Sequence, residues 1–156
     1  MIRLAKEKDL DKILELLADV SMLHYNLRPD LFKRHVTKYN REKLMQLLED
    51  DQKPIFVYTD DDVDDVYGYI MAEIQPVSNS DLYVDHKTLY IDDICVDPNK
   101  RNQKFGKHLL ETAASYGKKM GCYNIVLNVW DGNIGAAEFY REMGFKPQKT
   151  VLEQLL

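Results

Sequence analysis

Apolar residues recur along this chain at two spacings, and the spacing changes at definable points. Leu10, Ile13, Leu14, Leu16, Leu17, Val20 and Leu23 fall three and four residues apart. That is the stripe of one helix face, and it predicts a helix from Leu10 to about Tyr25 with Asp9 as N-cap. Arg28-Pro29 ends it, because the residue before proline is pushed out of the helical region. Ahead of it, Met1 to Leu4 alternates as a strand. After it, residues 30–39 mix Leu31, Phe32 and Val36 with basic residues, and a second helix is expected over 41–49. Residues 54–59 and 66–74 then alternate with period two, Tyr67, Tyr69, Met71 and Glu73 against Gly68, Ile70, Ala72 and Ile74, the pattern of a hairpin. Residues 75–87 are polar and predict an exposed loop. A β-branched and aromatic run over 90–96 is stopped by Asp97-Pro98-Asn99. Helical spacing returns with Phe105, Leu109, Leu110, Ala113 and Ala114, so a helix opens near Gln103 and ends near Met120-Gly121. Residues 123–129 predict a buried strand, Asn133 a cap for a short helix that Gly144 ends, and 145–156 one or two strands split by Pro147. This order of elements predicts an α/β fold, with one mixed sheet flanked by helices in a single domain covering 1–156.

Composition narrows the picture. The chain has 156 residues, 45% hydrophobic and 30% charged, enough to bury a sizeable core without a disordered segment. Twenty-six acidic against 21 basic residues give a net charge of −5, which removes electrostatic support for nucleic-acid binding. Cys95 and Cys122 lie in apolar, strand-like surroundings without C-x-x-C spacing and are expected as free buried thiols. No signal peptide and no run of about 18 apolar residues is seen, so neither membrane nor secretion is expected and the cytoplasm is the expected location. The run Asp60-Asp61-Asp62-Val63-Asp64-Asp65 lacks the mid-loop glycine and terminal glutamate of a calcium loop and predicts a solvated hairpin tip. No zinc or Ser-His-Asp spacing is present, and no metal is expected.

Candidate chemistry sits between the 90–96 strand and the helix after it. Lys100, Arg101, Lys104 and Lys107 crowd a loop that leads into a helix N-terminus, where free N–H groups and the helix dipole favour an anion. Gly106 leaves room for a ligand to approach. A second stretch, from Asn128 to Phe145, carries Asn133, then Phe139-Tyr140 on a helix, then Gly144-Phe145. Together the two stretches resemble the GNAT superfamily of acetyl-coenzyme A-dependent N-acetyltransferases. The family's cofactor motif falls on Arg101, Lys104 and Gly106, and its second signature on Asn133, Phe139, Tyr140, Gly144 and Phe145. Asn102 and Lys104 depart from it, standing where glycine is usual; asparagine tolerates left-handed backbone better than most residues.

The resemblance implies a mostly antiparallel sheet that splays between the strands at Tyr90 and Tyr123. The cofactor arm would lie against backbone groups of Ile94, Cys95 and Val96. It implies acetyl-CoA as co-substrate, held by Arg101, Asn102, Gln103, Lys104, Phe105, Gly106 and Lys107 and further along by Asn128, Asn133, Ala136 and Tyr140. Tyr140 would serve as general acid to the leaving thiolate. Asp92 is expected as general base, sharing a strand face with Tyr90, Ile94 and Val96 while Asp93 and Cys95 face away; Glu73 is a second choice. His24, Tyr25, Pro29 and Phe32 are expected on the acceptor side, with Asp92. The expected acceptor is a small-molecule primary amine. A peptide amine and a catalytically silent acetyl-CoA-sensing module are the alternatives, and a homodimer through the C-terminal strands is common among such proteins.

Overall fold

The computed structural model describes every residue of the chain except Asp61. Five strands form one sheet in the order β1 (Ile2–Leu4), β2 (Ile55–Thr59), β3 (Val66–Val77), β4 (His86–Val96), β5 (Asn124–Val126). Neighbours pair antiparallel except β4 and β5, which run parallel. Helices α1 (Leu10–Leu27) and α2 (Arg41–Leu48) cover one face and α3 (Phe105–Lys119) the other, with α4 (Ile134–Glu142) beyond β5 in sequence. Among the described residues, no helix is long and apolar enough to cross a membrane.

Each face has its own core. Leu10, Ile13, Leu16 and Leu17 of α1 and Leu44 and Leu47 of α2 pack on Ile55, Val57, Tyr69, Met71 and Cys95. On the other face Leu109, Leu110 and Ala113 of α3 pack on Phe56, Ile70, Ala72, Ile74, Leu89 and Ile91. The alternation along β2 and β3 sorts these residues to the two faces, which is how a period-two pattern becomes two hydrophobic layers.

Several expectations change. Helix α1 runs to Leu27, and Asp9 does not cap it with its side chain. Its carboxylate instead accepts the Lys6 N–H at 2.7 Å and pairs with Arg3 at 2.7 Å, fixing the turn before the helix. The β3–β4 hairpin is longer than predicted, because Gln75, Pro76 and Val77 pair with Thr88, Lys87 and His86. Their polarity marks an exposed strand end, and the loop shrinks to 78–85. Strand β5 is only three residues long, and 145–156 forms no strand. Val151, Leu152 and Leu155 are 88%, 88% and 79% exposed, so the apolar pattern there has no sheet edge to complete it. At the hairpin tip Asp60 accepts from the N–H groups of Asp62 and Val63 and from the Tyr67 hydroxyl, and Asp64 pairs with Arg3 and Lys8. Asp61 lies outside the described residues.

A bulge in β4 has the largest effect. Met71 pairs with Asp93 but Ala72 pairs with Ile91, so Asp92 is the extra residue. Ile91 and Ile94 therefore both face α3, although they are three apart. The expected face assignment is corrected: Asp92, Asp93 and Cys95 all lie toward α1 and α2, while Ile94 and Val96 face the other way.

Candidate functional site

Pairing of β4 with β5 begins at Thr88↔Asn124 and ends at Tyr90↔Val126. From Ile91 to Val96, β4 continues with a partner on the β3 side alone. The Asp97 N–H donates to Tyr67 C=O at 2.8 Å, so Cys95 and Asp93, counted back by twos, spend their main-chain groups on β3. Ile94 and Val96 turn theirs toward the open edge. Of the three backbone positions expected to meet a ligand, Cys95 is thus taken by Tyr69, and the Ile94 N–H donates to Asp93 Oδ1 at 3.0 Å. Asn128 Nδ2 donates to the Tyr90 hydroxyl at 3.1 Å, just past the last paired residues.

One end of this opening is the loop before α3. Asn102 and Lys104 hold φ of 64° and 63°, in the left-handed region. Both residues thus adopt backbone that glycine would enter without strain. Among the described residues, no side chain caps α3. No hydrogen bond among the described residues takes up the N–H groups of Asn102, Gln103, Phe105, Gly106 or Lys107, which suits an anion. A Cβ on Gly106 would meet the Phe139 ring at 3.4 Å and Val96 Cγ2 at 3.7 Å. The helix start, the β4 end and α4 are thereby packed together. Lys107 lies 3.7 Å from Glu111, and Arg101 is exposed and close enough to influence Cys95. Lys100 and Phe105 turn elsewhere. The Lys100 ammonium lies 4.4 Å over the Tyr67 ring, and Phe105 packs 4.3 Å from Tyr58, beside a cavity of about 400 Å³ on the β2–β3 side.

The other end gathers the titratable groups. Asn133 caps α4 by accepting the Ala136 N–H at 3.3 Å, and α4 carries Tyr140, packed 5.3 Å from Phe139 and 5.7 Å from Phe145. Burial, and then the nearby Asp93 charge, push the Tyr140 hydroxyl up to about 12. Asp93 accepts a hydrogen bond from the fully buried Tyr69 hydroxyl at 2.7 Å. Burial holds its carboxyl above the usual range, against the opposing pull of Tyr69 and Lys38. Asp92 accepts from the Tyr39 hydroxyl at 2.6 Å and pairs with the Lys38 ammonium. The Tyr39 hydroxyl is raised by burial and by Asp92. Asp92 and Glu73 line a small cavity of about 30 Å³, and Glu73 is 3.5 Å from Lys53.

His24 stacks on Phe32 at 5.2 Å, Phe32 meets Trp130 edge-on at 5.3 Å, and Arg28 lies 5.9 Å over Trp130. Burial lowers the His24 imidazole, while Asp93 opposes that. His24 and Phe32 thus form one aromatic group with Trp130, whereas the Tyr25 ring is covered by Arg34 at 5.9 Å. Cys95 is buried and its thiol is pushed up to about 12 by burial, which suits packing rather than nucleophilic work. Cys122 is also free. Among the described residues, no group of three or more His, Cys, Asp and Glu side chains could hold a metal ion.

Sequence reasoning turned Asp93 away from the cleft and did not single out Lys38, Tyr39 or Trp130. The one available signal was the Asp92-Asp93 doublet itself. Two adjacent carboxylates inside a β-branched strand leave one of them facing a core unless the pleat is broken.

Comparison with known proteins gives three results. A model described as the acetyltransferase (GNAT) family matches residues 10–145. An uncharacterized N-acetyltransferase of Methanocaldococcus jannaschii, MJ1207, is 31% identical over 86 residues, covering 54% of this chain but only 36% of that protein's length. Of solved structures, a mutant of the BH1408 protein from Bacillus halodurans has a TM-score of 0.95 at 27% identity, covering 100% of this chain and 99% of that one. Glucosamine-6-phosphate N-acetyltransferase from Arabidopsis thaliana shares the fold, with a TM-score of 0.72 at 22% identity over 99% of this chain and 97% of its own.

Proposed function

The chain belongs to the GNAT acetyltransferase family, and from that membership we propose that it transfers the acetyl group of acetyl-CoA to the primary amine of a small molecule by direct attack in a ternary complex. The observation that carries this reading is the opening in the sheet beyond Tyr90↔Val126, with an uncapped helix start at one end and Tyr140 and Asp93 at the other. Residues 1–156 act in it as one N-acetyltransferase domain.

Acetyl-CoA supplies the activated acyl group. The N–H groups from Asn102 to Lys107, with Arg101 and Lys107, hold its pyrophosphate, and the open main-chain groups of Val96 hold its arm. Asn128 sits at the mouth, and Asn133 and Ala136 present the α4 start. The left-handed backbone at Asn102 and Lys104 supports a loop able to hold the cofactor.

An attacking amine must first be neutral. With an alkylamine pKa of about 10.4, losing the proton at pH 7 costs about 4.6 kcal/mol. A carboxylate raised by burial takes that proton better, and Asp93, raised in this way and held by the Tyr69 hydroxyl at 2.7 Å, is the proposed base. Asp92, less buried and already holding a cation, anchors the acceptor's charge. Tyr140 donates a hydrogen bond to the leaving sulfur. Full proton transfer from a hydroxyl near 12 to a thiolate whose acid lies near 8.5 would be uphill by about 5 kcal/mol, so the bond, not the transfer, stabilises it. His24, Phe32 and Trp130 shape the acceptor wall.

The free thiols suit a reducing cytoplasm, and the exposed 145–156 segment suits association of two copies. A thermal melt tests the premise: acetyl-CoA at 100 times its dissociation constant stabilises by about 2.7 kcal/mol, a rise of roughly 5 to 10 °C. A shift followed by amine-dependent thiol release supports the reading. No shift at millimolar acetyl-CoA removes it.

A further inference from the structure

We infer that Lys38 is itself an acceptor, and that the chain acetylates its own Lys38 nitrogen within one molecule. This rests on the acetyl-transfer reading above. Lys38 lies in the irregular segment between α1 and α2, and its Nζ is bonded to Asp92 Oδ1 and lies 3.4 Å from the Asp92 carbonyl oxygen. The adjacent Tyr39 hydroxyl takes the other Asp92 oxygen, so residues 38 and 39 grip one carboxylate from both sides. The bulge puts Asp93 on the same side of the sheet, and Asp93 interacts electrostatically with both Lys38 and Tyr140. A primary alkylamine is therefore already held on Asp92, the residue next to the proposed base Asp93. Its side chain is 48% exposed, so it is not walled into the core. Lys33 and Lys43 flank it in sequence without a carboxylate partner among the described residues.

The step balances as any amide-forming transfer does. The Nζ lone pair forms a bond to the thioester carbonyl carbon, and the carbon–sulfur bond breaks. Of the two protons that nitrogen gives up, one ends on the released thiol and one passes through a carboxylate to water. The product, an acetylated Lys38 and free CoA, is neutral at Nζ. It no longer pairs with Asp92, which is left open to an external cation.

Peptide mass mapping of the purified protein with acetyl-CoA, with no added amine, tests this. The expected result is acetyl on Lys38 at an initial rate at least about tenfold that on Lys33 or Lys43, a modest share of what holding two reactants together supplies. The rate constant should not change with protein concentration. Tyr140→Phe should bring Lys38 down to the rate of its neighbours, and Lys38→Arg should lower thiol release in the absence of added amine to that same background. Equal modification of the three lysines, survival of the Lys38 rate in Tyr140→Phe, or a rate that climbs with protein concentration overturns the inference. So does an unmodified Lys38 in protein that acetylates an added amine, an outcome that leaves the acetyl-transfer reading standing. Absence of both a thermal shift with acetyl-CoA and any thiol release overturns both.

Discussion

A carboxyl group held beside a fully buried tyrosine keeps its proton more readily, because burial penalises the charged form. Asp93 is in that position, and the cost has a sign. Its pKa in the folded protein lies above the unfolded value of about 3.9. Below that value both states are protonated and no penalty exists; as pH rises through the window up to the folded pKa, the folded state loses stability. Asp93→Asn should therefore raise the melting temperature at pH 7, by about 2–4 °C if the relief is about 1 kcal/mol, since an amide oxygen still accepts from Tyr69. The same change should lower turnover by about 10²–10⁴-fold. A variant that is stabilised yet fully active would show that Asp93 is not the base. In the wild type, the acid limb of kcat/KM should sit above the ordinary carboxylate range, and a pH–rate profile reads this directly. Tyr140→Phe should cut turnover while acetyl-CoA affinity, followed by titration calorimetry, stays nearly unchanged; unchanged turnover removes Tyr140 from the chemistry.

Element by element, the two long helices and the β2–β3 hairpin were legible because a packed face repeats a spacing that the sequence displays. The bulge was not. An inserted residue leaves no mark in the pattern, and one slip at Asp92 exchanged the faces of everything after it. The loop from Arg101 to Lys107 and Tyr140 on α4 could be singled out from sequence as candidates, whereas the face on which Asp93 lies could not. The strand is held tightly where it matters. A Cβ on Gly68 would meet the Cys95 carbonyl oxygen at 2.7 Å, which is backbone and has little room to yield. Gly68→Ala should cost about 1–3 kcal/mol in chemical denaturation and weaken acetyl-CoA binding along with it, because β4 must shift. The loop has the opposite margin. Lys104 sits at φ 63° with a side chain, at a cost of about 1–2 kcal/mol, so Lys104→Gly should raise the melting temperature. A fall would show that the lysine side chain stabilises the loop by more than its backbone costs.

At the scale of the whole molecule, the strands expected over 145–156 failed for a reason no local pattern contains. A segment such as Val151-Leu152 can have strand character and still need an edge to pair with. Among the described residues, Glu153 pairs with Arg28. Apolar side chains this exposed fit contact with a second copy. Sedimentation equilibrium should show dimers in the micromolar range, and the double change Leu152→Glu with Leu155→Glu should give monomers of unchanged melting temperature at high dilution. A wild type that stays monomeric at high concentration ends that proposal. The unpaired edge of β4 has a further consequence, in the time domain. Cys95 and Val96 are neighbours near the middle of the fold, but only the first gives its N–H to another strand. Deuterium uptake should therefore differ sharply between two adjacent amides, slow at 95 and fast at 96. Any occupant that lends an acceptor to Val96 should erase the difference, so a single amide would report when the gap in the sheet is filled.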